Sequence, residues 1–273
     1  MDIFFTKMQG AGNDFILLDN RKNSIQLNTA RISYLCDRYR GIGADGLLVI
    51  ENGDATEPRM VYFNADGSRA SFCGNGARCF ARFLFEKGVG NIEKKQVSFI
   101  TDAGRVTGWI SEEGVKITVP SPKDLRLQIP LRLNDRLFEV HKINTGVPHV
   151  VLFGDYENLS LDSFRALGSS IRWHEDFKPE GTNVNFVWKV AEQKIKVRTY
   201  ERGVEGETLA CGSGVTASAL ISHLVLGMDS PIEVLVRSGD SLKVYFTRLD
   251  QAFNEVILEG PAKKVFVGTI DIA

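Results

Sequence analysis

The sequence carries little with which to build a disulfide framework, a zinc site or a membrane anchor. Only four cysteines, Cys36, Cys73, Cys79 and Cys211, are spread through 273 residues. No two of them form a C-x-x-C pair, so a structural zinc site of the usual spacing is excluded. No metal ligand set is expected. No apolar run approaches the ~20 residues of a membrane-spanning helix. The opening Met-Asp-Ile-Phe-Phe-Thr-Lys lacks a basic stretch followed by an apolar one, so no secretory leader is expected. A cytoplasmic protein with reduced thiols is the expectation that follows. Charge of neither sign dominates: 33 basic against 34 acidic residues leave a net −1. That balance gives no electrostatic reason to expect a nucleic-acid or membrane-surface partner. What remains is ordinary globular composition, 43% hydrophobic and 25% charged, in a chain longer than one domain of roughly 100–200 residues. Two domains are expected.

The chain is written twice. SFCGNGARCFARFLFEKG, from Ser71, and LACGSGVTASALISHLVLG, from Leu209, both read Cys-Gly-polar-Gly and then an apolar stretch ending in Gly88 or Gly227. KMQGAGNDFILLD, near Lys7, parallels INTGVPHVVLFGD, near Ile143. The helical spacing of Ile32, Leu35, Cys36 and Tyr39 recurs at Phe164, Leu167, Gly168 and Ile171. A hairpin around Gly104 matches one around Gly239. Several matches in one order, always about half a chain apart, predict a duplicated domain. The boundary is placed near Pro120-Ser121-Pro122, giving repeats at 1–120 and 121–262. The tail from 263 to 273 reads as a strand that can return to the first repeat.

Each repeat reads strand, helix, strands, a helix after the cysteine, then a meander of β-branched segments with Gly turns. Short loops favour antiparallel pairing. The helices after Cys73 and Cys211 are apolar almost all round, and such helices are buried. The predicted fold is therefore α+β, two pseudo-symmetric domains, each an antiparallel sheet curled around a central buried helix, with the active site in a cleft between them. The stripe Phe80, Phe83, Leu84, Phe85 is read as core. Gly41, Gly43 and Gly46 match G-x-G-x-x-G literally, but a helical pattern precedes them and the strand LLVI follows, the reverse of a dinucleotide site.

Cys73 and Cys211 each stand at a helix start, where unpaired N–H groups and about +0.5 of partial charge favour thiolate. Gly74, Gly76, Gly212 and Gly214 are read as letting a ligand approach the backbone, so that a carboxylate is held by the helix N–H groups. Cys36 and Cys79, inside helix faces, are read as small buried apolar groups. Two thiols from two related domains suit a two-base reaction, in which one removes a proton from one face of a carbon and the other returns one to the opposite face.

The segments KMQGAGNDF, GIGADGLL, FNADGSRASFCGNGARCFARF, PHVV, TNVNF and YERGVEGETLACGSG together resemble the diaminopimelate epimerase family, over essentially the whole chain. The resemblance implies interconversion of LL- and meso-diaminopimelate, on the route to lysine and peptidoglycan. It implies no cofactor, a small amino-acid substrate and a homodimer. By position it makes Cys73 and Cys211 the acid/base pair. Gly74, Asn75, Gly212 and Ser213 would cradle the reacting α-carboxylate. Asn13, Asn64, Asn183, Glu201 and Arg202 would bind the rest, and His149 and Glu201 would tune the thiols. Three departures stand out: Gly46 where many relatives have Gln, Val147 where they have Asn, and a GVEGET loop one residue longer than the common form. The alternatives are a related cofactor-independent racemase acting on proline, hydroxyproline or histidine, and a non-catalytic thiol redox sensor.

Overall fold

The computed structural model describes residues 2–53, 57–250 and 252–271. The chain forms two compact units, residues 1–118 with 259–273, and residues 119–258.

In the first unit, β1 (Asp2–Gly10) and β2 (Asn13–Asp19) form a hairpin closed by Ala11 and Gly12. Both turn residues have positive φ, 56° and 82°, the geometry that matches strand twist in a two-residue turn. This turn fixes Asn13 as the first residue of β2. Helix α1 (Thr29–Cys36) is capped by Asn28 and buries Ile32, Leu35 and Cys36. Tyr39 does not extend that face: it lies beyond the helix and is 98% exposed. The cause is local. The Asp37 carboxylate accepts from the Tyr39 and Arg40 N–H groups, a turn that competes with continued helix. Then follow β3 (Gly46–Asn52), β4 (Pro58–Asn64), β5 (Arg69–Ala70), α2 (Gly74–Glu86), β6 (Gln96–Thr101), β7 (Gly104–Ile110) and β8 (Val115–Thr118). The C-terminal strand β18 (Lys263–Asp271) pairs antiparallel with β1. Strands β1, β2, β6, β7 and β8 all pack on α2, whose buried Phe80 meets Phe99 of β6 at 4.9 Å between ring centres.

The second unit repeats this order. It runs β9 (Lys123–Leu133), β10 (Arg136–Asn144), β11 (Pro148–Phe153), α3 (Leu161–Arg172), β12 (Asn183–Ala191), β13 (Lys194–Glu201), β14 (Gly206–Thr208), α4 (Gly212–Leu226), β15 (Ile232–Leu235) and β16 (Ser241–Leu249). In β17 (Ala252–Gly260) the chain passes back to the first unit. Strands β10, β11, β12, β13, β15 and β16 pack on α4. Gly227, left-handed at φ 66°, ends that helix. In both units each large apolar side chain buried in this way contributes roughly 1.5–3 kcal/mol, which is why these helices go to the centre.

The sheets are mixed rather than antiparallel. Pairs β2–β3, β4–β6, β11–β12 and β13–β15 are parallel. In every case a helix lies between the two strands in the chain, and such a crossover returns the second strand in the direction of the first. The short-loop rule holds only for the hairpins and meanders. Among the described residues no helix is long and apolar enough to cross a membrane.

Candidate active site

Cys73 is the N-cap of α2, in extended conformation, and its sulfur accepts from the Gly76 N–H at 3.4 Å. The Asn13 amide sits against it. Asn13 Oδ1 accepts from Cys73 Sγ at 3.7 Å and from Asn75 Nδ2 at 3.3 Å. Asn13 Nδ2 donates to Asp45 at 2.7 Å, which fixes the amide so that its oxygen faces the thiol. Asp45 is held in turn by Arg38. Arg38 and Lys7 also bind Asp14. Burial would raise the Asp14 carboxyl, but the hydrogen bonds from Arg38 and Lys7 outweigh it and hold the group well below the usual carboxylate range. Lys7 also donates to the Gly43 carbonyl. The floor beneath Asn13 is thus a fixed ionic frame.

Asn75 is buried, and its orientation comes from a residue the sequence reading missed. Arg78 is fully buried. It donates to Asn75 Oδ1 at 2.9 Å, to the Gly74 carbonyl at 3.3 Å and to the Pro261 carbonyl at 3.3 Å. The signal was present: one Arg on the all-apolar side of a helix must be there for its hydrogen bonds. Asn64 ends β4, donates to Ser68 Oγ at 3.0 Å, and lies in register with Gly46. Gly46 is in register with Phe15, so Asn13, two residues before Phe15, shares a sheet face with Asn64. The absence of a side chain at Gly46 has a local cause. A Cβ there would stand 2.7 Å from the Phe63 carbonyl oxygen and 2.8 Å from the Tyr62 ring.

Cys211 is the N-cap of α4, in extended conformation, and is 7% exposed. Ser213 Oγ lies 3.5 Å from its sulfur, and the Ser213 carbonyl accepts from Thr145 at 2.8 Å. His149 Nε2 is 2.9 Å from Ser213 Oγ. Burial, followed by the Arg202 charge, pushes the His149 imidazole down to about 3. It is therefore a neutral hydrogen-bonding group at ordinary pH, not a cation. Asn183 is a brace: its Nδ2 donates to the Pro148 carbonyl at 2.9 Å and its Oδ1 accepts from the Arg202 N–H at 2.8 Å. Arg202 Nη1 reaches the Glu180 carbonyl at 3.4 Å. Glu201 closes β13 opposite Gly206, half-buried. Val147 is half-buried, and its carbonyl accepts from the Thr145 N–H. In the GVEGET loop Glu205 is left-handed, at φ 55°. Its carboxylate accepts from Gly203 N–H, Arg172 and Tyr200.

Two glycines read as ligand-facing do other work. A Cβ on Gly76 would touch Leu48 and Phe15 at 3.4 Å, and one on Gly214 would stand 2.4 Å from Asn185 Oδ1. Both point into their own unit's interior, because helix geometry turns the third residue of the first turn toward the sheet. Burial pushes the Cys36 and Cys79 thiols up to about 12. Alkylation needs thiolate, so iodoacetamide at neutral pH should leave Cys36 and Cys79 unlabelled until the chain is unfolded. Peptide mapping checks this, and labelling of either in the folded protein would contradict it.

The fold is shared with proteins of the PhzF family and with a hydroxyproline epimerase. A phenazine biosynthesis protein of the PhzF family from Bacillus anthracis superposes with a TM-score of 0.74 over 100% of both chains at 16% identity. A hydroxyproline epimerase from Agrobacterium vitis gives 0.72 over 98% of this chain and 92% of its own, at 13% identity. The sequence narrows this to one family. The diaminopimelate epimerase family model matches residues 5–122 and 142–265, one stretch in each half of the chain. Diaminopimelate epimerase of Aquifex aeolicus is 43% identical over 97% of both chains, and that of a Hydrogenobaculum species 39% identical over 98% of both. The chain belongs to the diaminopimelate epimerase family.

Proposed function

We propose that this protein is an isomerase that interconverts LL- and meso-2,6-diaminopimelate, with Cys73 and Cys211 as its two bases. The observation that carries this reading is the pairing of two N-cap cysteines, each on the central helix of its own repeat, in a chain matched by the family model in both halves. The mechanism requires the two sulfurs to meet one α-carbon from opposite faces. The thiolate takes the α-proton, breaking C–H and forming S–H. The opposite thiol gives up its proton, breaking S–H and forming C–H. The electron pair passes through the α-carboxylate, which becomes more negative as the proton leaves. Backbone N–H groups of Gly74, Asn75, Gly212 and Ser213, at two positive helix ends, stabilise that charge where it develops. No electrons are gained or lost, so the step needs no redox partner: the proton taken by one sulfur is replaced from the other.

The distal ammonium and carboxylate fall to Asn13, Asn64, Asn183, Glu201 and Arg202, with Glu201 accepting from the ammonium and Arg202 holding the carboxylate. The family resemblance supports a homodimer working in the cytoplasm and supplying lysine and peptidoglycan precursors. The test is incubation of LL-diaminopimelate in deuterated water. Deuterium at one α-carbon with formation of the meso isomer supports the reading. Exchange into proline or hydroxyproline but not diaminopimelate would assign the fold's other chemistry, and exchange into neither would leave a thiol without epimerase activity.

Arg202→Lys probes the distal site. A planar fork replaced by a point charge cannot hold a carboxylate through two parallel bonds. Losing one hydrogen bond to a charged group costs about 1.5–3 kcal/mol, so kcat/KM for diaminopimelate should fall by roughly 10- to 150-fold. Unchanged kcat/KM would remove Arg202 from the substrate site.

A further inference from the structure

The polar groups behind Cys211 form a chain whose hydrogen-bond directions can be deduced from its far end. Asn185, on β12, is fully buried. Its Nδ2 donates to the Val150 carbonyl at 2.9 Å, and a carbonyl can only accept. That bond settles which end of the amide is nitrogen. Thr199 Oγ1, on β13, donates to Asn185 Oδ1 at 3.0 Å and holds the other end. The same Nδ2 lies 3.2 Å from His149 Nδ1. A donor faces that ring nitrogen, so Nδ1 must accept, and the proton of the neutral ring sits on Nε2. Nε2 then donates to Ser213 Oγ, 2.9 Å away. The Ser213 hydroxyl proton cannot then point at the ring, and Cys211 Sγ, 3.5 Å away, is the neighbouring acceptor within its reach.

We infer that Asn185, held by Thr199, is a positioning residue that locks His149 in its Nε2–H tautomer and so makes Ser213 a hydrogen-bond donor to the Cys211 sulfur. The inference rests on the reading of Cys211 as an acid/base group for its catalytic meaning, but not for its geometry. A second observation supports it. Gly214 lacks a Cβ at the place where one would stand 2.4 Å from Asn185 Oδ1 and 3.3 Å from Thr199 Oγ1. The first turn of α4 is therefore notched to admit this amide. A hydroxyl donating to sulfur stabilises thiolate, whereas a hydroxyl accepting from sulfur stabilises thiol. The tautomer of a histidine two bonds away thus sets the resting state of the thiol. Arg202 is the charged group that bears on the ring. Burial is the larger cause and the Arg202 charge the next: both disfavour imidazolium and keep the ring in the neutral form for which a tautomer exists.

The test is nitrogen NMR of the intact protein labelled with 15N-histidine, the His149 signals being assigned by their loss in His149→Gln. The expected result is the Nε2–H tautomer at neutral pH. An Nδ1–H tautomer, or an imidazolium, would overturn the inference, whatever substrate the enzyme turns over. Asn185→Asp supplies the second readout. A carboxyl oxygen in place of Nδ2 demands a proton on Nδ1, so Nε2 becomes an acceptor and takes the Ser213 proton away from sulfur. At about pH 8.5, above the ordinary histidine range, the variant should show the Nδ1–H tautomer. Alkylation of Cys211 should slow by about tenfold, the worth of one hydrogen bond to a charged group, while Cys73 alkylation is unchanged. A switched tautomer with unaltered Cys211 alkylation would overturn the link to the thiol. Failure of diaminopimelate turnover with the Nε2–H tautomer intact would instead count against the functional reading alone.

Discussion

Cys73→Ser and Cys211→Ser should each lose epimerisation by roughly 10⁴-fold or more, with the fold intact. Serine keeps the shape and offers a capping oxygen in place of sulfur, and it is a better N-cap than cysteine. At Cys73, where the sulfur already accepts from the Gly76 N–H, thermal stability should hold or rise. What serine lacks is an accessible anion: a hydroxyl is far too weak an acid to rest as the base that takes an α-proton. A two-base reaction needs both partners, since one delivers what the other removes. The double variant should therefore be no worse than either single one, which is the mark of residues acting as a unit. The measurement is the rate of meso-isomer formation from LL-diaminopimelate beside the melting temperature of each variant. Turnover within tenfold of the parent by either single variant would dismiss the two-base mechanism, and a lost fold would make it necessary to read Cys→Ala in its place.

How much of this was legible in the sequence depended on range. The duplicated Cys-Gly-x-Gly segments, the buried helices behind them and the β6–β7 hairpin at Gly104 were readable because each is decided by residues close together in the chain. The parallel pairs were not, because strand direction follows from where a crossover helix lands, and short segments carry no trace of that. Tyr39 fitted a helical spacing, but Asp37 ended the helix first. Gly214 looked like a ligand-facing glycine because it sits beside Cys211; its partners, Asn185 and Thr199, lie well upstream on two other strands. Arg78 was written in the motif itself and passed over because charge on a helix is usually solvated. Its three bonds inside the unit show the opposite case. The family resemblance supplied residue roles that spacing could not, and it left unexplained the missing side chain at Gly46, which is a matter of Tyr62 and the neighbouring strand.

The loop that leads into Cys211 depends on an ion pair the sequence gave no reason to single out. Arg198 of β13 and Glu207 of β14 pair at 2.7 Å and 2.9 Å, a two-pronged contact with side chains only 9% and 7% exposed. Arg198 also donates to the Leu159 carbonyl at 2.7 Å and the Tyr156 carbonyl at 3.3 Å. Its guanidinium lies 4.3 Å from the Phe164 ring centre of α3. One side chain thus ties the loop before α3, the α3 face and β14 together, and β14 ends at Thr208, three residues before Cys211. Replacing one member strands the other charge where water cannot reach it. Such broken pairs cost about 3–5 kcal/mol, and at this chain length each kcal/mol lowers the melting temperature by roughly 2–4 °C. Glu207→Leu and Arg198→Met should each melt roughly 6–20 °C below the parent. Arg237, 3.8 Å from Glu207 and largely exposed, can compensate only Glu207, so Arg198→Met should be the milder of the two. The double variant should recover most of the loss, because it leaves no buried charge behind and fills the space with apolar atoms. Calorimetry of the three variants decides the matter. Additive losses would mean the pair is a set of separate contacts, and single losses under about 1 kcal/mol would place it with ordinary surface ion pairs.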